Sequence, residues 1–253
     1  MSGHLTIIGL GPGPSEWMTP AATIAVAEAD IVLGYVPYLA RLTPRDGQVF
    51  EASDNREELA RATRALELAA SGKRIAIVSG GDPGVFAMAA AVFEAIERTP
   101  ALADDIDIRV EPGVTAMLAA ASRIGAPLGH DFCAISLSDN LKPWSMIEKR
   151  LRLAAEADFV ITLYNPASKA RPDQIREALR ILSSVHTPET IVVFARAVGR
   201  ADEAIEITTL ADAPNAVCDM RTLVIVGSSA TRRIQGNAGR TWIYTPRSAA
   251  RDA

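Results

Sequence analysis

Cysteine is nearly absent. The two present, Cys133 and Cys218, stand far apart and in no metal-like spacing. That excludes a disulfide scaffold and a cysteine-based zinc site, and it fits a reducing compartment. Histidine is as scarce: His4, His130 and His186 form no HxxxH or HxH pair, so no metal site is expected. Aromatic residues make up 5% of the chain, which leaves the core to Ala, Val, Ile and Leu. No stretch approaches the ~18 consecutive apolar residues of a membrane span. The N-terminus has no basic leader, and glycine breaks its apolar run too soon for a signal peptide, so a cytoplasmic protein is expected. An excess of positive charge is missing too. Lys and Arg number 26 against 30 Asp and Glu, a net charge of -4, which argues against nucleic acid as a partner.

What is present reads as a soluble globular chain: 253 residues, 49% hydrophobic and 22% charged, with length for one large or two small domains. Short β-branched runs alternate with Ala-rich amphipathic segments. The pattern predicts strands at 5–9, 31–34, 74–79 and 106–110, with helices at 21–29, 56–71 and 85–98 between them. This βαβα order implies a mostly parallel sheet covered on both faces. A second pass predicts helices at 116–123, 144–156 and 173–184 and strands at 132–137, 159–164 and 191–195. Strands at 203–208, 223–226 and 241–244 follow without long helices, which implies a mixed sheet with antiparallel members. The expected organisation is α/β: a first domain over 1–112, a second over 113–245 and a polar tail over 246–253.

Ligands of parallel α/β sheets sit outside the carboxyl ends of the strands, and that rule selects five loops. Gly9-Leu-Gly-Pro-Gly-Pro14 follows the first strand. It fails as a dinucleotide fingerprint, because Pro14 replaces the third glycine, Pro12 and Pro14 delete amide donors, and no acid ends the second strand. A stiff structural turn is the other reading. In Ser79-Gly-Gly-Asp-Pro-Gly84, paired glycines allow a ligand close to the backbone; alternatively Asp82 simply caps a helix beginning at Pro83. Thr115, in Glu111-Pro-Gly-Val-Thr-Ala116, is equally open to an N-cap reading. Leu163-Tyr-Asn-Pro-Ala-Ser-Lys-Ala-Arg171 reads either as a ligand loop or as a solvated one. Ser136-Leu-Ser-Asp-Asn-Leu-Lys-Pro-Trp144 combines hydroxyl, carboxylate, ammonium and indole groups, a ligand-like mixture; an Asx-turn is the bland alternative for Asp139. There is no nucleophile elbow and no Walker loop.

Taken in order, Gly9-Leu-Gly-Pro-Gly13, Gly80-Gly-Asp-Pro83 and Pro112-Gly-Val-Thr-Ala116 resemble the tetrapyrrole methylases, the class III S-adenosylmethionine-dependent methyltransferases. The likeness runs from Leu5 to about Gly227. His130-Asp-Phe-Cys-Ala-Ile-Ser-Leu-Ser-Asp139 with Lys142-Pro-Trp144, and Leu163-Tyr-Asn-Pro-Ala-Ser168, resemble one branch. That branch methylates carbon 17 of precorrin-3B and contracts its ring to precorrin-4 in cobalamin biosynthesis.

The resemblance implies two α/β domains with the active site in the cleft between them, a homodimer, and S-adenosylmethionine as methyl donor. It puts Pro12, Gly80, Gly81, Asp82, Val85, Thr115 and Ala116 at the donor. In the second domain it puts Tyr164, Asn165, Ala195, Arg196 and Ala197 there, although Asn165 stands where many relatives have Met, and residues 195–197 where some have Asn-Gly. Carbon 17 of an electron-rich tetrapyrrole attacks a sulfonium methyl directly, so orientation is the enzyme's main task. Ring contraction also needs a base for the carbon-20 hydroxyl. Asp139 and His130, with Ser136 or Ser138 to orient them, are the candidates, and Lys142, Lys169, Arg171 and Arg196 are available for substrate carboxylates. The rivals are another tetrapyrrole methylase (acting on cobalt-precorrin-3, precorrin-4 or uroporphyrinogen), a relative that methylates RNA or protein, a non-catalytic tetrapyrrole-binding module, or a nicotinamide dehydrogenase. The cobalt-free substrate is favoured, since nothing resembling a Cys-rich extension accompanies the methylase core.

Overall fold

A computed structural model describes residues 3–54 and 57–248. The chain divides into two compact units, Met1–Ala116 and Met117–Ala253. The sequence-based boundary after residue 112 falls earlier, because Pro112-Gly113 packs into the first unit: Gly113 lies against the main chain of Gly9 and Gly81.

Unit 1 runs β1 (Gly3–Gly9), α1 (Pro20–Glu28), β2 (Ile31–Tyr35), α2 (Val36–Leu39), β3 (Val49–Ser53), α3 (Glu58–Ala70), β4 (Arg74–Ser79), α4 (Met88–Arg98) and β5 (Ile106–Glu111). The strands form one parallel sheet in the order β3-β2-β4-β1-β5. Side chains alternate between faces along each strand. Leu5, Ile7, Ile75 and Ile77 therefore pack with α3 and α4, while Ile8, Val32, Ala76 and Val78 pack with α1 and Leu39. Thr19 caps α1, its Oγ1 accepting from the Ala22 amide at 3.0 Å, and Pro20 takes the first position. The helix expected at 85–98 starts at Met88, because Phe86 adopts φ 53 and breaks the turn before it. Arg56, the expected start of the helix at 56–71, lies outside the described residues.

Unit 2 contains α5 (Ala116–Ile124), β6 (Gly125–Ala126), β7 (Phe132–Ser136), α6 (Trp144–Glu156), β8 (Val160–Tyr164), α7 (Gln174–Leu182), β9 (Ile191–Arg196), β10 (Ala204–Thr209), β11 (Thr222–Val226), β12 (Arg232–Gln235) and β13 (Thr241–Tyr244). Its main sheet is mixed, in the order β10-β9-β11-β8-β7. β7 and β8 are parallel, and β11 is antiparallel to both β8 and β9. β7, β8 and β9 thus point the same way, and their carboxyl ends share one edge. The buried faces of α6 and α7 cover one side of this sheet through Ile147, Leu151, Ile175 and Leu179. A small sheet, β12-β13-β6, closes the unit. The expected tail after residue 245 begins from an anchored point: Thr245 is buried, and its Oγ1 donates to the Pro127 carbonyl at 2.6 Å.

Candidate active site

In unit 1 the chain leaving β1 crosses through α1 to β2, and the chain leaving β4 crosses through α4 to β5 on the other side. Adjacent strands whose connections depart in opposite directions make the switch point where α/β sheets bind ligands. The loops after β1, β4 and β5 converge there. Gly11 and Gly81 form an isolated antiparallel bridge, each amide donating to the other's carbonyl at 3.1 and 3.0 Å. A methyl group on Gly113 would lie 2.3 Å from the Gly81 carbonyl oxygen, and one on Gly9 would lie 2.7 Å from the Gly113 nitrogen. These glycines are spacers that let three loops touch.

The paired glycines differ in purpose. A methyl on Gly80 would strike the Tyr38 ring at 2.7 Å, so protein already fills that space. Gly81 sits at φ +70, and a methyl group there would meet Thr115 Cα and the Val114 oxygen no closer than 3.8 and 3.9 Å. It is the open position. Asp82 does more than cap a helix: Oδ2 accepts from the Gly113 amide at 3.0 Å and Oδ1 from the Gly84 amide at 2.8 Å, tying the β4 loop to the β5 loop. Val85 is half-buried in the same loop, its amide donating to the Asp82 carbonyl. Pro12 is half-buried in the β1 loop, Thr115 is buried, and Ala116 begins α5.

Sequence reasoning missed Arg41. Its guanidinium donates to the carbonyls of Leu10, Gly11 and Gly13 at 2.6, 2.9 and 2.9 Å, holding the proline-bearing loop from behind. It belongs to no motif and acts over some thirty residues of chain, so no local signal marks it.

In unit 2 the carboxyl ends of β7, β8 and β9 carry side-chain chemistry. The Asn165 amide donates to Ser136 Oγ at 3.0 Å, and the Ser138 main-chain amide approaches the same oxygen at 3.3 Å. The Met117 amide, in the first turn of α5, donates to the Tyr164 hydroxyl at 3.1 Å. Asn165 and Ala197, each following a strand end, adopt φ 52 and 49. Strain of that kind in non-glycine residues concentrates at ligand sites.

The other candidates are sorted by this geometry. Asp139 is partly exposed; Oδ1 faces Arg171 Nε at 3.8 Å, and Oδ2 faces Gln174 Nε2 at 3.4 Å. Arg171 is itself buried, its Nη1 donating to the Leu137 carbonyl at 3.3 Å, so it braces the loop that follows β7. Arg196 pairs with Asp219 at 2.9 Å and Asp202 at 3.1 Å, in a ring closed by Arg221. Its side chain is committed to those carboxylates. Ala195 is buried within β9. Lys169 is exposed at the tip of a turn closed by Ser168 and Arg171. His130 precedes β7, while Asp139 follows it, and five strand residues separate the two ends by ~16 Å. The two candidates therefore lie at opposite ends of one strand.

Lys142 is half-buried in the loop ahead of α6; burial and the neighbouring Arg150 cation both lower its pKa. Burial also lifts the Cys218 thiol to about 11, which keeps it inert. Among the described residues no three His, Cys, Asp or Glu side chains gather as for a metal, and no helix is long and apolar enough to cross a membrane. The fit to S-adenosylmethionine rests on Gly81: any side chain there would fill the space the open loop leaves, beside the Val114 carbonyl and the Ala116 amide.

Residues 4–214 match the profile of the tetrapyrrole (corrin/porphyrin) methylases. The chain is 57% identical, over 98% of its length and 97% of the relative's, to a precorrin-3B C(17)-methyltransferase of Sinorhizobium. The crystal structure of the methyltransferase CobJ superposes with a TM-score of 0.92 at 54% identity, covering 97% of this chain and all of that one. The uroporphyrin-III C-methyltransferase of Thermus thermophilus, complexed with S-adenosylhomocysteine, shares the fold at a TM-score of 0.67 and 23% identity, over 89% of this chain and 97% of its own. The chain belongs to the tetrapyrrole methylase family.

Proposed function

We propose that this protein transfers a methyl group from S-adenosylmethionine to carbon 17 of precorrin-3B and contracts the macrocycle to precorrin-4, a step of cobalamin biosynthesis. The observation that carries this reading is the 57% identity to the Sinorhizobium precorrin-3B C(17)-methyltransferase across nearly the whole of both chains. The metal-free substrate is that relative's; a cobalt-bearing one is the alternative.

When bound, S-adenosylmethionine supplies an electrophilic methyl group on a sulfonium. The protein's part in this half is placement. Gly81 leaves the room, Asp82 fixes the two loops that border it, and Thr115 and Ala116 continue the border. Tyr164, Asn165 and Ala197 are the second set of donor contacts, with Asn165 held by Ser136. Holding reactants at ~3–3.5 Å in the right orientation accounts for much of the acceleration such a reaction needs. For contraction, Asp139 accepts the proton of the carbon-20 hydroxyl. Arg171 and Gln174 face its two oxygens and hold the group in one orientation. Lys142 contacts substrate carboxylates. The protein acts in the cytoplasm as a homodimer of the 26.9 kDa chain.

Incubation with S-adenosylmethionine and precorrin-3B, or its cobalt form, tests the reading by product mass and absorbance. A gain of one methyl group with the spectral change of contraction is expected. Pigment bound with the donor left intact would identify a carrier instead. Light scattering at twice the chain mass checks the dimer.

A further inference from the structure

The turn from β9 to β10 is longer than an antiparallel pair needs. Seven residues, 197–203, join Arg196 to its cross-strand partner Ala204, where about two to five are usual. Ala197 and Gly199 both adopt left-handed backbone, at φ 49 and 80, and the Ala197 and Val198 side chains are buried. Inside the turn the Arg200 amide donates to the Ala197 carbonyl and the Glu203 amide to the Arg200 carbonyl, each at 3.0 Å. The Gly199 amide goes to a side chain instead: Glu203 Oε2 accepts from it at 2.6 Å. Arg123 Nε approaches Oε1 and Oε2 of the same carboxylate at 3.0 and 3.2 Å. Arg123 lies in the last turn of α5, and the first turn of that helix donates the Met117 amide to the Tyr164 hydroxyl. One carboxylate thus fastens the turn that carries Ala197 to the helix that holds Tyr164.

We infer that Glu203 is a positioning residue for the methyl donor. Acting through the Gly199 amide and Arg123, it sets the main chain at Ala197 relative to the helix that orients Tyr164. This deepens the functional reading given above and rests on its placing the donor against Tyr164 and Ala197. The ring of Arg196, Asp202, Asp219 and Arg221 fixes the two feet of the turn to the chain entering β11. The middle of the turn, at Gly199, rests on Glu203. Glutamine in its place keeps an acceptor for the Gly199 amide but loses the charge facing Arg123. The pair is partly open to solvent, with Arg123 38% and Glu203 26% exposed, so salt reaches it.

Calorimetric titration of the full chain with S-adenosylhomocysteine, the stable product of the donor, tests this. The variants are Glu203→Gln, Glu203→Ala, Arg123→Gln and the double change Arg123→Gln with Glu203→Gln. Glu206→Gln, at an exposed acid further along β10, is the control and should behave as wild type. Glu203→Ala should weaken binding about tenfold, and Glu203→Gln and Arg123→Gln about threefold each. The double variant should match the singles, because both remove one ion pair. In ~1 M salt the wild type should fall to the level of Glu203→Gln. In turnover, the KM for S-adenosylmethionine should rise in step while that for precorrin-3B stays within about twofold. A role confined to folding would lower the urea midpoint of Glu203→Ala and leave donor affinity at the wild-type value in every folded variant. That result overturns the inference. If Glu203→Ala does not fold, the two Gln variants and the salt titration decide in the same way. Wild type that binds S-adenosylhomocysteine more tightly than the variants, yet leaves precorrin-3B unmethylated, keeps the inference and ends the functional reading. Wild type that binds no S-adenosylhomocysteine ends both.

Discussion

The two units finish their strands with different materials. Unit 1 builds its loops from glycine, proline and main-chain hydrogen bonds, with Gly9, Gly81 and Gly113 packed backbone to backbone. Unit 2 ends its strands in side chains: Ser136, Tyr164, Asn165 and the braced Asp139. A site made of main chain tolerates almost no added atom, whereas one made of side chains can be retuned by substitution without refolding.

The largest expected effect is Gly113→Ala. Its methyl would overlap the Gly81 carbonyl, and both neighbours are backbone with nowhere to yield. Overpacking of this severity costs about 3 kcal/mol or more. Urea denaturation should show that loss, and calorimetric titration should show donor binding abolished. A stable Gly113→Ala that still binds the donor would break the contrast between the units. Next comes Asp82→Ala. It strips acceptors from the Gly113 and Gly84 amides, a cost of about 1–3 kcal/mol, and it should weaken the donor as well. Tyr164→Phe is smaller. It removes the acceptor of the Met117 amide while keeping the ring, so a loss of about 1 kcal/mol is expected, with folding otherwise unchanged.

These effects also mark how far the sequence alone could be read. The parallel sheet of unit 1 and the mixed sheet of unit 2 were legible, because Arg74–Ser79 and Trp144–Glu156 carry strong apolar periods between clear breakers. β3 was not. Val49–Ser53 lies at the sheet edge with none of its residues buried, and it lacks a hydrophobic run. β12, with four exposed residues, is hidden for the same reason. Within the site, the glycine loops announced themselves by composition, but their division into spacers and one open position did not. That division depends on Tyr38, on Gly113 and on the Arg41 clamp, all distant in sequence from the glycines they serve. His130 and Asp139 flank one strand, and a strand's two ends are far apart in space though only a few residues apart in sequence.

The smallest effect is the most discriminating. Ala197 adopts φ 49 just past β9, and its amide donates to the Arg221 carbonyl at 2.9 Å. A left-handed conformation costs an alanine about 1–2 kcal/mol, and glycine adopts it freely but loses more chain entropy on folding, about 0.5–1 kcal/mol. Ala197→Gly should therefore stabilise the protein by about 0.5–1 kcal/mol, read as a higher urea midpoint at unchanged slope. Its methyl is buried, so some packing is lost against that gain. If unit 2 holds this residue in strain to shape the donor's border, the more stable variant should bind S-adenosylmethionine more weakly, since the loop regains freedom the alanine denied it. Gain in stability with unchanged donor affinity would reduce the strain to a local accident of the turn. Loss of both would mean that the buried methyl, and not the backbone angle, is what this position contributes.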